Sequence, residues 1–166
     1  MSDAAQLTLF GSDTLTEARA SVEAGRVDGI TCPCCDQFCR EYARSLNSPM
    51  ARALIACVRR GGAERWVNIH ELPLIQGRRG GGDFAKLVYW ELIRQRPKDD
   101  DSRARTSGDW MVTDLGVQFA CNRVRVRKKA RLYNDMLLCF EGEYISIVDA
   151  LGIRFDYREL MGWHVE

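Results

Sequence analysis

The chain has 166 residues, of which 46% are hydrophobic and 28% charged, and its formal net charge is +1 at pH 7. This length fits one domain of ordinary size, or a compact core with appendages, and the composition excludes an intrinsically disordered chain. The sequence has neither the ~20-residue apolar run of a membrane span nor the basic start of a secretory signal, so we expect a cytoplasmic protein with no membrane partner.

The first predicted element is a helix near the N-terminus. Thr14 and Glu17 have the spacing of a capping box, and Gly25 is a suitable helix end.

A cysteine cluster follows this helix. Residues 32–39 read CPCCDQFC and hold four of the seven cysteines. Cys32 and Cys35 have the C-x-x-C spacing that places two thiolates on one ion, so zinc is the candidate cofactor. The sequence lacks a second C-x-x-C pair, so a reduced cysteine-rich turn is the alternative. A thioredoxin-like redox pair is not favoured, because no βαβ pattern surrounds the motif.

The middle of the chain has the element order of a winged helix-turn-helix. An amphipathic helix capped by Ser48 is followed by a short strand, a helical turn and a long helix that starts at Asp83 and ends at Pro97. A polar loop then leads to a short strand, and Thr113 caps another helix. The expected positions are 66–69 for the first strand, 70–75 for the turn, and 109–113 for the second strand.

The long helix is predicted to carry a basic and aromatic stripe. At 100° per residue, Lys86, Trp90 and Arg94 lie opposite Phe84 and its apolar neighbours. We expect the stripe to be exposed and to contact DNA. The alternative is that Trp90 packs in the core beneath the preceding glycine-rich loop.

A basic strand follows the central region. Arg123, Arg125 and Arg127 alternate with valines, so they are predicted to share one strand face. The adjacent bases Lys128 and Lys129 add to this row. Such a row suits phosphate contacts, although the bases can instead pair with the aspartates of residues 99–101 or with the acidic tail.

The remaining elements complete the expected architecture. Asn134 and Asp135 predict a hairpin turn, and Ser146 and Asp156 each open a short helix. The expected fold class is α+β. Its segments are an N-terminal helix with a cysteine-rich loop (1–47), a winged helix (48–122), and a basic β-hairpin with short helices (123–166).

Charge is segregated along these segments. Residues 1–31 carry a net charge of −3 and the tail from Asp135 carries −5. Residues 40–96 carry +6, and the stretch Arg123 to Arg131 carries +6 without any acid. A basic middle between acidic ends indicates a polyanion-binding face or neutralisation within the fold.

Two resemblances accompany these patterns. The stretch GDWMVTDLGVQFA, from Gly108 to Ala120, resembles the end of the wing in bacterial winged-helix repressors. The segments ITCPCCDQ, LNSPMARALI, GDFAKLVYWELI and SIVDALGIRFDYRELM are similar to uncharacterised small proteins of phages and prophages. That family implies a phage origin but no activity. Its pattern usually has glycine where this chain has Asp36.

We therefore expect a phage-type winged-helix protein that binds double-stranded DNA as a small regulator or accessory factor. Predicted DNA contacts are Lys86, Trp90, Arg94, Arg103, Arg105, Arg123, Arg125, Arg127, Lys128 and Lys129. The alternative is a protein-interaction module that inhibits or redirects a host protein, with Trp90 in its contact surface. The sequence is compatible with a homodimer. We expect no enzyme, because triad, P-loop and H-E-x-x-H patterns are all missing.

Overall fold

The computed structural model describes residues 14–72, 81–97 and 108–162. These residues form a mixed α+β structure that divides into two compact units. The first unit comprises residues 14–43 and Arg131–Leu138, and the second comprises the described residues of 44–130 and 139–162. Within these ranges, no helix has both the length and the apolarity that crossing a lipid bilayer requires.

The helices of the described residues are short and well capped. Thr14, Thr113 and Ser146 each accept a hydrogen bond from a backbone N–H of the first turn, which confirms three predicted helix starts. The α-helices are α1 (Leu15–Gly25), α2 (Ser48–Arg59), α3 (Gly81–Ala85), α4 (Asp114–Ala120), α5 (Ile147–Leu151) and α6 (Tyr157–Met161), and 3-10 helices span Ile69–Glu71 and Lys86–Trp90.

The strands form small sheets. The strands are β1 (Ile30–Thr31), β2 (Phe38–Cys39), β3 (Tyr42–Ser45), β4 (Val67–Asn68), β5 (Ile93–Gln95), β6 (Asp109–Val112), β7 (Val126–Tyr133) and β8 (Met136–Ile145). One sheet has the order β4-β6-β5, in which both pairings are antiparallel. A second sheet has the order β3-β7-β8, and β1 pairs with β2.

Helix α2 begins one residue earlier than predicted. Asn47, not Ser48, is the N-cap, because its side-chain oxygen accepts a hydrogen bond from the backbone N–H of Met50 at 3.0 Å. Ser48 is the first helical residue, and Pro49 lies within the first turn, where its missing N–H costs nothing.

The predicted long helix from Asp83 to Pro97 is wrong. The helical stretch covers Gly81–Trp90, and its second half is a 3-10 helix. Glu91 ends it in the left-handed conformation with φ 56°, and its N–H bonds to the carbonyls of Leu87 and Val88. The chain then turns into β5, because Ile93–Gln95 pairs with Trp110–Val112 of β6. Long-range strand pairing thus overrides the local helix pattern.

The core of the second unit lies against α2. This helix buries Met50, Leu54 and Ile55 almost completely, and the ring of Phe84 meets that of Trp110 edge-on at 5.9 Å. Helix α4 approaches the start of β5 so closely that a Cβ on Gly116 would overlap the carbonyl oxygen of Leu92. Glycine is therefore required at this position of α4.

The hairpin between β7 and β8 turns where the sequence predicts. Asn134 and Asp135 both have positive φ, 48° and 57°, which is the type I′ geometry of a two-residue hairpin.

Candidate nucleic-acid interface

In the basic stretch from Arg123 to Arg131, only the residues from Val126 onward form a strand. β7 begins at Val126, so the prediction that Arg123 and Arg125 lie on a strand with Arg127 is wrong. The N–H of Arg123 bonds to the carbonyl of Gln118 at 2.8 Å, and this turn after α4 delays the strand. Both arginines are nevertheless exposed.

The strand bases differ in how far they are already paired. Arg127 donates from Nη1 to the carbonyl of Gly142 at 2.7 Å, and its guanidinium lies 4.2 Å from the ring centroid of Tyr144. Lys128 pairs with Glu143 at 2.8 Å, as the acidic-tail alternative predicts. Lys129 is exposed. The bases most available to an anion are therefore Arg123, Arg125 and Lys129.

A shallow depression of about 320 Å³ lies beside the first two of these bases. Its lining includes Arg123, Arg125 and Ser146, the N-cap of α5. Hydrogen bonds from the backbone N–H and the hydroxyl of Ser146 hold the pKa of Asp149 below its usual value, and the charge of Arg125 acts in the same direction. Asp149 therefore stays ionised and offsets part of the positive charge here.

The residues predicted on the long helix are separated by its early end. Lys86 lies in the 3-10 segment with Nζ 3.5 Å from the Tyr89 hydroxyl, whereas Arg94 lies on β5. Arg94 is exposed, and its guanidinium lies 5.6 Å from the ring centroid of Trp66. The predicted wing residues Arg103 and Arg105 lie outside the described residues.

Trp90 is not exposed, so its predicted place in a contact stripe is wrong. The side chain is 3% exposed, and its indole Nε1 donates to the carbonyl of Arg127 at 2.6 Å. Its ring also lies 6.2 Å from that of Phe140. The tighter 3-10 winding brings Leu87 and Trp90 to one side, and both are buried. The core alternative is therefore correct for this residue.

The cysteine cluster forms a tight turn between β1 and β2. The N–H of Asp36 bonds to the carbonyl of Cys32 at 3.0 Å, and the N–H of Cys32 bonds to the carbonyl of Gln37 at 2.8 Å. Asp36 has φ 57°, the left-handed conformation that glycine adopts most easily. Asp36 therefore forms the turn at some cost in backbone strain.

This turn also sets the chemistry of its thiols. Hydrogen bonds from the backbone N–H groups of Cys34 and Cys35 lower the pKa of the Cys32 thiol. Partial desolvation and the proximity of Cys32 raise the pKa of Cys34. A thiolate stabilised by backbone N–H groups is the form that binds a metal ion. The turn therefore favours the thiolate form of Cys32.

The same turn does not supply a complete metal site. In the part of the chain that the structure describes, no three His, Cys, Asp or Glu side chains are grouped to hold a metal ion. A structural zinc takes four ligands. Cys32 and Cys35 fit half of such a site.

Sequence reasoning missed a second basic region. Arg52, Arg59, Arg60 and Arg65 line one cleft. The available signal was the seven-residue spacing of Arg52 and Arg59, which places them two turns apart on one face of α2.

No protein-family model, curated protein or solved structure matches this chain.

Proposed function

We propose that this protein is a winged-helix protein that binds double-stranded DNA. The observation that carries the proposal is the strand order β4-β6-β5, combined with the order of elements along the chain. Helix α2 precedes β4, a helical segment precedes β5, and β6 returns between them. This arrangement corresponds to the helices and antiparallel hairpin of a winged helix-turn-helix.

The helical segment Gly81–Trp90 takes the place of the recognition helix. Its buried residues Phe84, Leu87 and Trp90 hold it on the core, while Lys86 and Tyr89 are partly exposed and Val88 is 42% exposed. The segment is short, so it reaches few base edges. Affinity then depends mainly on phosphate contacts, which carry little sequence information.

Basic residues around this segment supply those contacts. Arg94 extends from β5, and we include Arg103 and Arg105, which follow β5 in the sequence but lie outside the described residues. Arg123, Arg125 and Lys129 form a second exposed basic group. Each Lys or Arg that neutralises a phosphate releases counterions, which gives affinity without sequence readout. A small phage-type regulator or accessory factor, without catalysis of its own, is the role that fits this surface.

A protein-interaction module is the second candidate function, but its contact surface differs from the one that the sequence predicts. The burial of Trp90 removes the surface first expected for it. Strand β8 supplies another, since it is an edge of its sheet and five of its large apolar side chains are between 37% and 60% exposed. Exposed edge strands pair readily with other chains. These side chains are Met136, Leu137, Leu138, Phe140 and Tyr144.

We further propose that Cys32 and Cys35 bind zinc as a knuckle. The tight turn and the stabilised Cys32 thiolate support this proposal. The zinc would hold the turn between β1 and β2 and replace part of the core that such a short hairpin lacks. The other ligands would come from outside the described residues or from a second copy of the chain.

Fluorescence polarisation with a duplex of about two helical turns tests DNA binding by the winged-helix face. The double variant Lys86→Ala with Arg94→Ala should weaken binding by about tenfold or more, because Lys86 lies in the proposed recognition segment and Arg94 follows it on β5. Arg40→Ala is the matched control, since Arg40 is exposed and lies in the first unit. Equal affinities of the double variant and the control would contradict this placement.

A further inference from the structure

The second unit contains a cleft of about 510 Å³ that the proposed DNA interface does not use. Its walls come from residues 52–59 of α2, the turn after this helix, Leu72, and Leu160 of α6. Of the predicted DNA-contact residues that the structure describes, none lines it. Its volume falls in the range of small-molecule sites.

Four guanidinium groups surround this cleft. Those of Arg52, Arg59, Arg60 and Arg65 have no carboxylate oxygen of the described residues within 4 Å. Like charges around one concave surface repel one another and focus a positive potential in it. An anionic ligand would remove that repulsion.

Several of these arginines are held in position by contacts of their own. Arg59 donates from Nη1 to the carbonyl of Leu160 at 3.0 Å. Arg65 donates from Nε and Nη2 to the carbonyl of Arg60 at 3.0 and 2.8 Å. The guanidinium of Arg52 lies 4.3 Å from the ring centroid of Phe155. Side chains that are already ordered lose less entropy when a ligand binds.

One of these groups also has an unsatisfied donor. The Nε atom of Arg52 is buried and has no hydrogen-bond partner within the described part of the chain. A buried donor without an acceptor costs free energy, so an acceptor at this position would be stabilising. Phosphate oxygens match the guanidinium fork closely, because they accept two parallel hydrogen bonds from one arginine.

The cleft is not lined by charge alone. Ala56 and Leu160 form a partly exposed apolar wall beside the arginines, and the lining also includes the buried residues Ile55 and Leu72. An inorganic anion would leave this wall in contact with water, whereas an organic phosphate would cover it. The concave shape also suits a small molecule better than the convex backbone of a duplex.

From these observations we propose that the cleft binds a small organic polyphosphate of nucleotide size. The four arginines would hold its phosphates, and the apolar wall would pack against its organic part. This proposal does not rest on the proposed DNA binding.

Isothermal titration calorimetry of the full chain with ATP and with inorganic tripolyphosphate tests this proposal. ATP should bind, and tripolyphosphate should bind more weakly because it leaves the apolar wall uncovered. Arg52→Gln should weaken ATP binding about tenfold, the effect of losing one charge-assisted contact. Arg60→Gln should act in the same direction, and it replaces an exposed side chain, so the fold is retained. Arg40→Gln should leave the affinity within twofold.

Three results would overturn the proposal. The first is a failure of ATP to bind at millimolar concentration. The second is ATP binding that neither Arg52→Gln nor Arg60→Gln changes. The third is a loss of duplex DNA binding in both variants without any ATP binding to the wild type, which would make the cleft part of the DNA interface.

Discussion

The indole Nε1 of Trp90 donates a hydrogen bond to the backbone carbonyl of Arg127 at 2.6 Å. This bond joins the end of the helical segment to the start of β7 within the second unit. It satisfies the one polar atom of a side chain that is otherwise packed in the core. The two residues stand 37 positions apart, and both were first expected to face DNA.

Replacement of Trp90 should therefore destabilise the fold. Trp90→Ala should lower the free energy of unfolding by about 3–5 kcal/mol, because it leaves a large cavity. Trp90→Phe should cost about 1–3 kcal/mol, since it leaves the Arg127 carbonyl without its donor. Urea unfolding measures both changes. Val88→Ala is the control, since Val88 is 42% exposed, and it should change stability by about 0.5 kcal/mol or less. A Trp90→Ala cost below about 1 kcal/mol would place the indole in solvent.

Burial of Cys57 predicts a loss of stability in alkali. Burial raises the pKa of the Cys57 thiol from 9.0 to about 11, so the fold favours the neutral form. The unfolded chain releases this proton first as pH rises above 9, and the folded state loses relative stability until pH passes 11. The loss due to Cys57 should reach about 1 kcal/mol at pH 10.

Comparison of the wild type with Cys57→Ala between pH 8 and pH 10 isolates this effect, because all other alkaline titrations are shared. The variant should be less stable at pH 8 because of its smaller side chain, but its stability should fall less as pH rises. Parallel stability curves for the two proteins would show that Cys57 is solvated.

Strain at Asp36 predicts a stabilising substitution. Because φ at this residue is 57°, Asp36→Gly should raise the free energy of unfolding by about 0.5–1 kcal/mol. Asp28→Gly is the control, because Asp28 is also exposed but has no positive φ. In thermal unfolding, the melting temperature should rise in Asp36→Gly and fall in Asp28→Gly. A melting temperature that falls in Asp36→Gly would mean that the carboxylate has a stabilising partner.

The zinc proposal predicts that the purified protein contains zinc and that a cysteine substitution removes it. Protein purified without chelator should contain zinc, and Cys35→Ser should lose the metal and melt at a lower temperature. Cys139→Ser should retain it, because Cys139 lies on β8 and outside the cysteine turn. One zinc per chain would place the missing ligands in the same chain, and one per two chains would place them on a second copy. Zinc-free wild-type protein whose melting temperature does not change on zinc addition would contradict the proposal.

The sequence predicted most of what depends on neighbouring residues. The helix starts at Thr14, Thr113 and Ser146, and the hairpin turn at Asn134, follow from side-chain caps and backbone preferences within four residues. The predicted N-cap of α2, Ser48, differs from the observed N-cap, Asn47, by one residue, because adjacent Asn and Ser are both good caps.

Features that depend on distant residues were not predictable. The pattern from Asp83 to Pro97 is helical by itself, and only pairing with β6 converts Ile93–Gln95 into a strand. Because of this pairing, the helical segment ends at Trp90, and the side that carries Trp90 is buried. The arginine cleft likewise needs Leu160, which lies 101 residues from Arg59. No local pattern contains that contact.

The salt dependence of duplex DNA binding tests the central claim most directly. Wild-type affinity, measured by polarisation over a series of salt concentrations, should fall with a log–log slope of roughly −3 to −4, as expected for about four neutralised phosphates. Arg125→Ala with Lys129→Ala should make that slope shallower by one to two units, about one for each lost contact. A wild-type protein without measurable duplex affinity at low salt would contradict the account, and an unchanged slope in the double variant would remove this basic group from the interface.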